Sequence, residues 1–87
     1  MWTLKISDQA SRSYARLSGK EQQRVAAAFD ILARDARAGK PLKGELKDYW
    51  SYRVGTYRIL YSIEEHEVVI YVLRIQHRKE VYERFRR

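Results

Sequence analysis

The stretch Trp50–Tyr61, WSYRVGTYRILY, reads as two short strands joined at Gly55-Thr56. On each side of that turn, apolar or aromatic residues take alternate positions: Trp50, Tyr52 and Val54, then Tyr57, Ile59 and Tyr61. Alternation with period two marks a strand that buries one face. Glycine at the first turn position permits the positive φ that a two-residue type II′ hairpin requires. Counting outward from the turn, Val54 faces Tyr57 and Arg53 faces Arg58. Two like charges directly opposite each other on a sheet repel. An anion held between them would turn that repulsion into binding. An RNA phosphate suits, because guanidinium groups donate to phosphate oxygens in a bidentate fork.

Upstream of the hairpin, WTLKI alternates Trp2, Leu4 and Ile6 with Thr3 and Lys5, which predicts a strand with one buried face. Ser7 or Asp8 can cap a short helix with Ala10, Tyr14 and Leu17 turned inward. Ser18 with Glu21 three residues later forms a capping box that starts a second helix. Val25, Ala28, Phe29, Leu32 and Ala36 then recur at helical spacing, with Arg24, Asp30, Arg34 and Arg37 outside. Gly39 and Pro41 predict a stop near Ala38. The two helices form an αα-hairpin laid across a sheet.

Downstream, VVIYVLRI is β-prone and apolar on both faces, as a central strand would be. The turn before it, EEHE, lacks Gly and Asn and leaves the register of that second hairpin open. The tail HRKEVYERFRR predicts a short C-terminal helix with Val81 and Phe85 inward and Arg78 and Tyr82 sharing a face. The order β-α-α-β-β-β-α predicts one α+β domain over residues 1–87. Its expected core is a mostly antiparallel four-stranded sheet packed on the helical hairpin.

Composition narrows the function. Eighteen Lys and Arg against eleven Asp and Glu give a net charge of +7, which favours an anionic partner. No signal peptide, membrane span or basic amphipathic helix is legible, so a membrane role is not expected. With no cysteine there is neither a disulfide framework nor a thiolate metal site, which fits a cytoplasmic protein. Phosphate-binding glycine loops, paired-histidine metal spacing and nucleophile elbows are all missing from the sequence. Neither a cofactor nor a metal is expected.

What remains is a group of cations with an aromatic: Arg53, Arg58, His77, Arg78 and Tyr82. Histidine is the residue type suited to proton transfer near neutral pH, and His77 also fits a helix N-cap. A cation in a first helical turn, as at Arg78, opposes the helix dipole, which suggests retention for a ligand. Tyr82 can cover the edge of the core, stack on a base or reach a phosphate. Lys40, Lys43 and Lys47 read as a solvated loop that could also touch a nucleic-acid backbone.

LKGELKDYWSYRVGTYRILYSI followed by VVIYVLRIQHRKEVY closely resembles the RelE toxins of the RelE/ParE superfamily of toxin–antitoxin pairs. The resemblance implies a ribosome-dependent endoribonuclease that cleaves mRNA in the A site by attack of a ribose 2′-OH on the adjacent phosphate. It places Arg53 where the family often has a lysine or arginine, and Arg58 at the family's phosphate-binding arginine. Arg78 matches the basic residue near the last helix, and Tyr82 the tyrosine that organises substrate. Ser51 departs from members that carry a second basic residue there. Arginine stays protonated and is a poor base, so His77 is the expected substitute for the general base. The implied partners are the ribosome, mRNA and an acidic, RelB-like antitoxin, with Lys43, Lys47 and Ser51 contacting RNA. The alternatives are a ParE-like gyrase inhibitor without nuclease chemistry, or an inactive RNA- or antitoxin-binding relic.

Overall fold

The computed structural model describes residues 1–77. The expected C-terminal helix, with Arg78, Val81, Tyr82 and Phe85, lies outside the described residues. Five strands, β1 (Thr3–Ile6), β2 (Lys40–Pro41), β3 (Trp50–Val54), β4 (Tyr57–Glu64) and β5 (Val69–His77), form one sheet. Its order is β1-β5-β4-β3-β2, with α1 (Asp8–Arg16) and α2 (Gly19–Arg34) between the first two strands in sequence. β1 runs parallel to β5 and every other pairing is antiparallel.

The α+β class and the mostly antiparallel sheet are as the sequence predicts, but the strand count is one higher. The additional strand is Lys40–Pro41, which pairs with Ser51 and Trp50. Pro41 has no backbone N–H to contribute, and an edge strand is where a proline is tolerated. A single 3-10 turn at Gly44–Leu46 follows before the chain enters β3.

Both helices start at side-chain caps. Ser7 accepts a hydrogen bond from the Ala10 N–H at 3.0 Å. Ser18 and Glu21 make the reciprocal pair of a capping box at 3.0 and 3.2 Å. The Ser18 backbone N–H holds the Glu21 carboxyl below the usual carboxylate range. The helices are tied together where Tyr14 Oη donates to the Gln22 carbonyl and Gln22 Nε2 donates back to the Tyr14 carbonyl.

Helix α2 ends at Arg34, before the expected Ala38, because Asp35 leaves the helix at φ −145°. Gly39 is therefore not a helix cap. Its place is set by packing: a Cβ there would lie 2.7 Å from both the Ser51 carbonyl oxygen and the Tyr61 hydroxyl.

The core forms between the helices and one sheet face. Ala10, Val25, Ala28, Leu32 and Ala36 pack against Ile59, Tyr61, Ile70, Val72 and Ile75. Fully burying a side chain such as Leu32 or Ile59 contributes about 2 kcal/mol each. Tyr61 is fully buried, and its hydroxyl donates to the Ala36 carbonyl at 2.8 Å while accepting from Gly39 N–H at 3.1 Å. Burial pushes its phenol pKa up. Trp2, just before β1, and Leu4 within it pack on the core as expected, whereas Ile6 is 41% exposed. No helix among the described residues is long and apolar enough to cross a membrane.

Candidate nucleic-acid interface

The β3–β4 hairpin has the register that the sequence predicts. Val54 pairs with Tyr57, and Arg53 stands directly across from Arg58. Gly55 takes φ +59°, and among the described residues Val68 is the only non-glycine with positive φ. Thr56 therefore keeps a negative φ, which fits a type II′ turn and excludes type I′.

Residues paired across strands share a face. One row on the face away from the core runs Arg53, Arg58, Gln76 across β3, β4 and β5. The next row runs Lys40, Ser51, Leu60, Arg74 across β2 to β5. Ser51 thus sits on the cationic face, diagonal to Arg58, and its hydroxyl has no hydrogen-bond partner although it is buried. Lys43 and Lys47 flank the 3-10 turn and are exposed.

His77 is not brought to this face. It is the last residue of β5, pairs with Tyr57, and meets that ring edge-on at 5.5 Å between centroids and 84°. Tyr57 packs on the core, so the imidazole lies on the helix side of the sheet, opposite Arg53 and Arg58.

The cause is a β-bulge. Tyr61 pairs with Val72, but Leu60 pairs with Arg74, so Leu73 is an extra residue in β5. Ile70 and Val72 point to the core before it, Ile75 and His77 after it, and Arg74 and Gln76 turn to the cationic face. The Leu73 carbonyl at the bulge accepts from Ser7 Oγ at 2.7 Å, and Ser7 N–H donates to Val72 O.

Arg74 and Gln76 escape the sequence reading, which treats this strand as apolar on both faces. The available signal was two polar side chains at i, i+2 inside an apolar run. Both are now conspicuous: Arg74 Nη1 and Gln76 Oε1 are buried without a hydrogen-bond partner. Such groups are costly to leave unpaired.

Beside Arg74 an open cavity of about 390 Å³ lies between the β1–α1 junction and the segment leading into β3. Leu60 and Leu73 line it together with Leu46 and Tyr49, and Ser7, Gln9 and Arg74 supply polar groups.

The arrangement is thus a helical hairpin on one side of a small mixed sheet, with arginines paired across its other side, in a chain of net charge +7. The chain belongs to the family described as ParE toxin of type II toxin–antitoxin system, parDE, which matches residues 4–82, within the RelE/ParE superfamily. Toxin RelG of Mycobacterium tuberculosis (strain ATCC 25618 / H37Rv) is 45% identical over 58 residues, 66% of this chain and 67% of that protein. A chain of the toxin–antitoxin complex RelBE2 from M. tuberculosis superposes with a TM-score of 0.81 at 37% identity, covering 88% of this chain and 98% of that one. The isolated E. coli RelE toxin gives a TM-score of 0.78 at 21% identity over 97% and 94% of the two chains, a likeness of fold.

Proposed function

We propose that this toxin is an mRNA endoribonuclease that works on the ribosome and is silenced by an acidic antitoxin. The observation that carries this reading is the Arg53–Arg58 pair, directly opposed on a face that also carries Ser51, Arg74 and the buried Gln76. Two guanidinium groups at one cross-strand position suit an anion whose charge rises during reaction. In 2′-OH cleavage the ribose oxygen bonds to phosphorus and the P–O5′ bond breaks, leaving a 2′,3′-cyclic phosphate and a 5′-hydroxyl. The 2′-OH proton passes to a base and the leaving 5′-oxygen takes a proton. Arg53 and Arg58 stabilise the dianionic phosphorane between those two transfers.

The nucleophile belongs to the substrate, so this chemistry asks the protein only for charge and proton transfer. The resemblance assigns leaving-group charge to Arg78 and substrate placement to Tyr82. Lys43 and Lys47 serve as point charges along the RNA backbone. Complexes of RelB-type antitoxins with structurally similar toxins support an antitoxin partner. Acidic side chains from that partner would neutralise the same face and hasten association.

The test is primer extension on mRNA translated in a reconstituted system, comparing wild type with Arg53→Ala/Arg58→Ala. Codon-phased 5′ ends that require ribosomes and vanish in the double variant support the reading. Intact mRNA with folded wild-type protein overturns it. The second reading, a gyrase inhibitor without nuclease chemistry, is favoured by the ParE description of the matching family. It predicts loss of DNA supercoiling instead.

A further inference from the structure

We infer that the cavity beside Arg74 is a nucleobase subsite, taking an unstacked base next to the phosphate held by Arg53 and Arg58. This rests on the RNA-cleaving reading above and adds a specificity element to it. Three observations converge there. The bulge at Leu73 turns Arg74 away from the core and onto the face of Arg58, one row along the sheet. Bulges next to functional sites commonly re-aim a side chain in this way.

Arg74 lines the cavity, and its Nη1 is buried behind that lining without an acceptor in the protein, so the guanidinium is held at the cavity wall at a desolvation cost. The cavity, about 390 Å³, lies within the size range of small-ligand pockets. Its lining has the mixed character a base requires. Leu46, Leu60 and Tyr49 offer apolar and aromatic surface to a planar ring, while Gln9 and Arg74 offer polar groups to its edge.

Charge complementarity selects RNA as the occupant over an apolar peptide. The chain carries +7, and the cavity adjoins a row that contains two further arginines. The strand would lie with one phosphate across Arg53 and Arg58 and its neighbouring base in the cavity. Arg74 reads the edge of that base, which makes it a specificity determinant.

The experiment is fluorescence anisotropy at low salt, with short single-stranded RNAs whose 2′-positions are methylated to prevent cleavage. One set varies the base at each position in turn, and another replaces it with an abasic ribose. Wild type should bind the abasic strand about tenfold more weakly at one position and rank the four bases there. Arg74→Gln should bind all bases at that position within about twofold while keeping the wild-type salt slope, since no phosphate contact is lost. Leu46→Trp, which fills the cavity without touching the charge, should also remove the preference. Melting curves confirm that each variant is folded.

Equal affinity of wild type for abasic and intact strands, with Arg53→Gln still weakening both, overturns the subsite and leaves the RNA reading standing. If Arg53→Gln also leaves RNA binding unchanged and wild type leaves ribosome-bound mRNA intact in the primer-extension assay, the RNA reading itself fails. The cavity would then be assigned to an antitoxin side chain.

Discussion

Arg53 faces Arg58 across the β3–β4 hairpin, one residue from a turn that fixes their register. Opposed cations of this kind cost stability in the free protein, on the order of 0.2–1 kcal/mol. Removing Arg53, the exposed member of the pair, should therefore stabilise the fold while damaging function. Arg53→Gln is expected to raise the melting temperature slightly at low salt and to lower cleavage by at least about tenfold. Differential scanning fluorimetry and the primer-extension assay, run on the same preparation, check both halves. A variant that is less stable and fully active contradicts the clamp.

His77 shares a face with Tyr57, not with the arginines. Losing a true general base costs roughly 10²–10⁴-fold in rate. His77→Ala is expected to cleave within about threefold of wild type, because its ring lies across the sheet from Arg53 and Arg58, where the phosphate is proposed to bind. Single-turnover cleavage on programmed ribosomes measures this. A fall of two or more decades with unchanged binding would restore His77 as the base.

Gly39 has no space for a side chain against Ser51 and Tyr61. Gly39→Ala should destabilise by about 1–3 kcal/mol, as overpacking against backbone does. Gly19→Ala is the matched control: nothing lies within 4 Å of its added carbon, and alanine suits a helix better. It should gain about 0.5 kcal/mol. Urea denaturation of the two variants compares them directly, and similar midpoints would refute the packing argument.

Val68 closes the β4–β5 turn at φ 56°, a conformation that β-branched residues rarely adopt, and it is 45% exposed. Val68→Gly should relieve that strain at little loss of burial. A net gain of about 0.5–1 kcal/mol is expected, or several degrees in melting temperature for a domain of this size. No gain, or a loss, would mean that the turn pays nothing for its valine.

Burial raises the Tyr61 phenol above its ordinary value of 10.0, and the sign of the resulting pH dependence follows. Below that value both folded and unfolded chains hold the proton, and the stability is intact. Above it the unfolded chain releases the proton first, so stability falls until the folded state titrates too. Melting temperature should drop steeply above pH 10. Tyr61→Phe should start lower, having lost the bonds to Ala36 and Gly39, yet decline less. Tyr71, raised mainly by its hydrogen bond to Glu67, is the surface comparison. Equal alkaline slopes in wild type and Tyr61→Phe would exclude Tyr61 as the source.

Local signals carried most of the fold. Alternation around Gly55-Thr56 gave the hairpin and its arginine pair, and Ser18 with Glu21 gave the start of α2. What alternation could not carry was the bulge at Leu73. Continued unbroken from Ile70 and Val72, a count of two puts Arg74 in the core. One inserted residue reverses every position beyond it. That single residue separates His77 from Arg58 and delivers Arg74 and Gln76 to the cationic face instead. Lys40–Pro41 was illegible for a different reason: two residues ending in proline have too little pattern to read as a strand, and their pairing with β3 is set by tertiary packing.

The sheet is threaded so that its second strand in space, β5, is the last described strand in time. Thr3 must wait for Val69 and Ser7 for Leu73 before either bond can close. A nascent chain still lacking β5 has neither Arg74 nor Gln76, and no partner for β1. Closing so distant a pairing is also slow. Until β5 has been made and docked, β1 and β4 each keep an open edge, and the sheet closes in the one step that also brings Arg74 and Gln76 to their face.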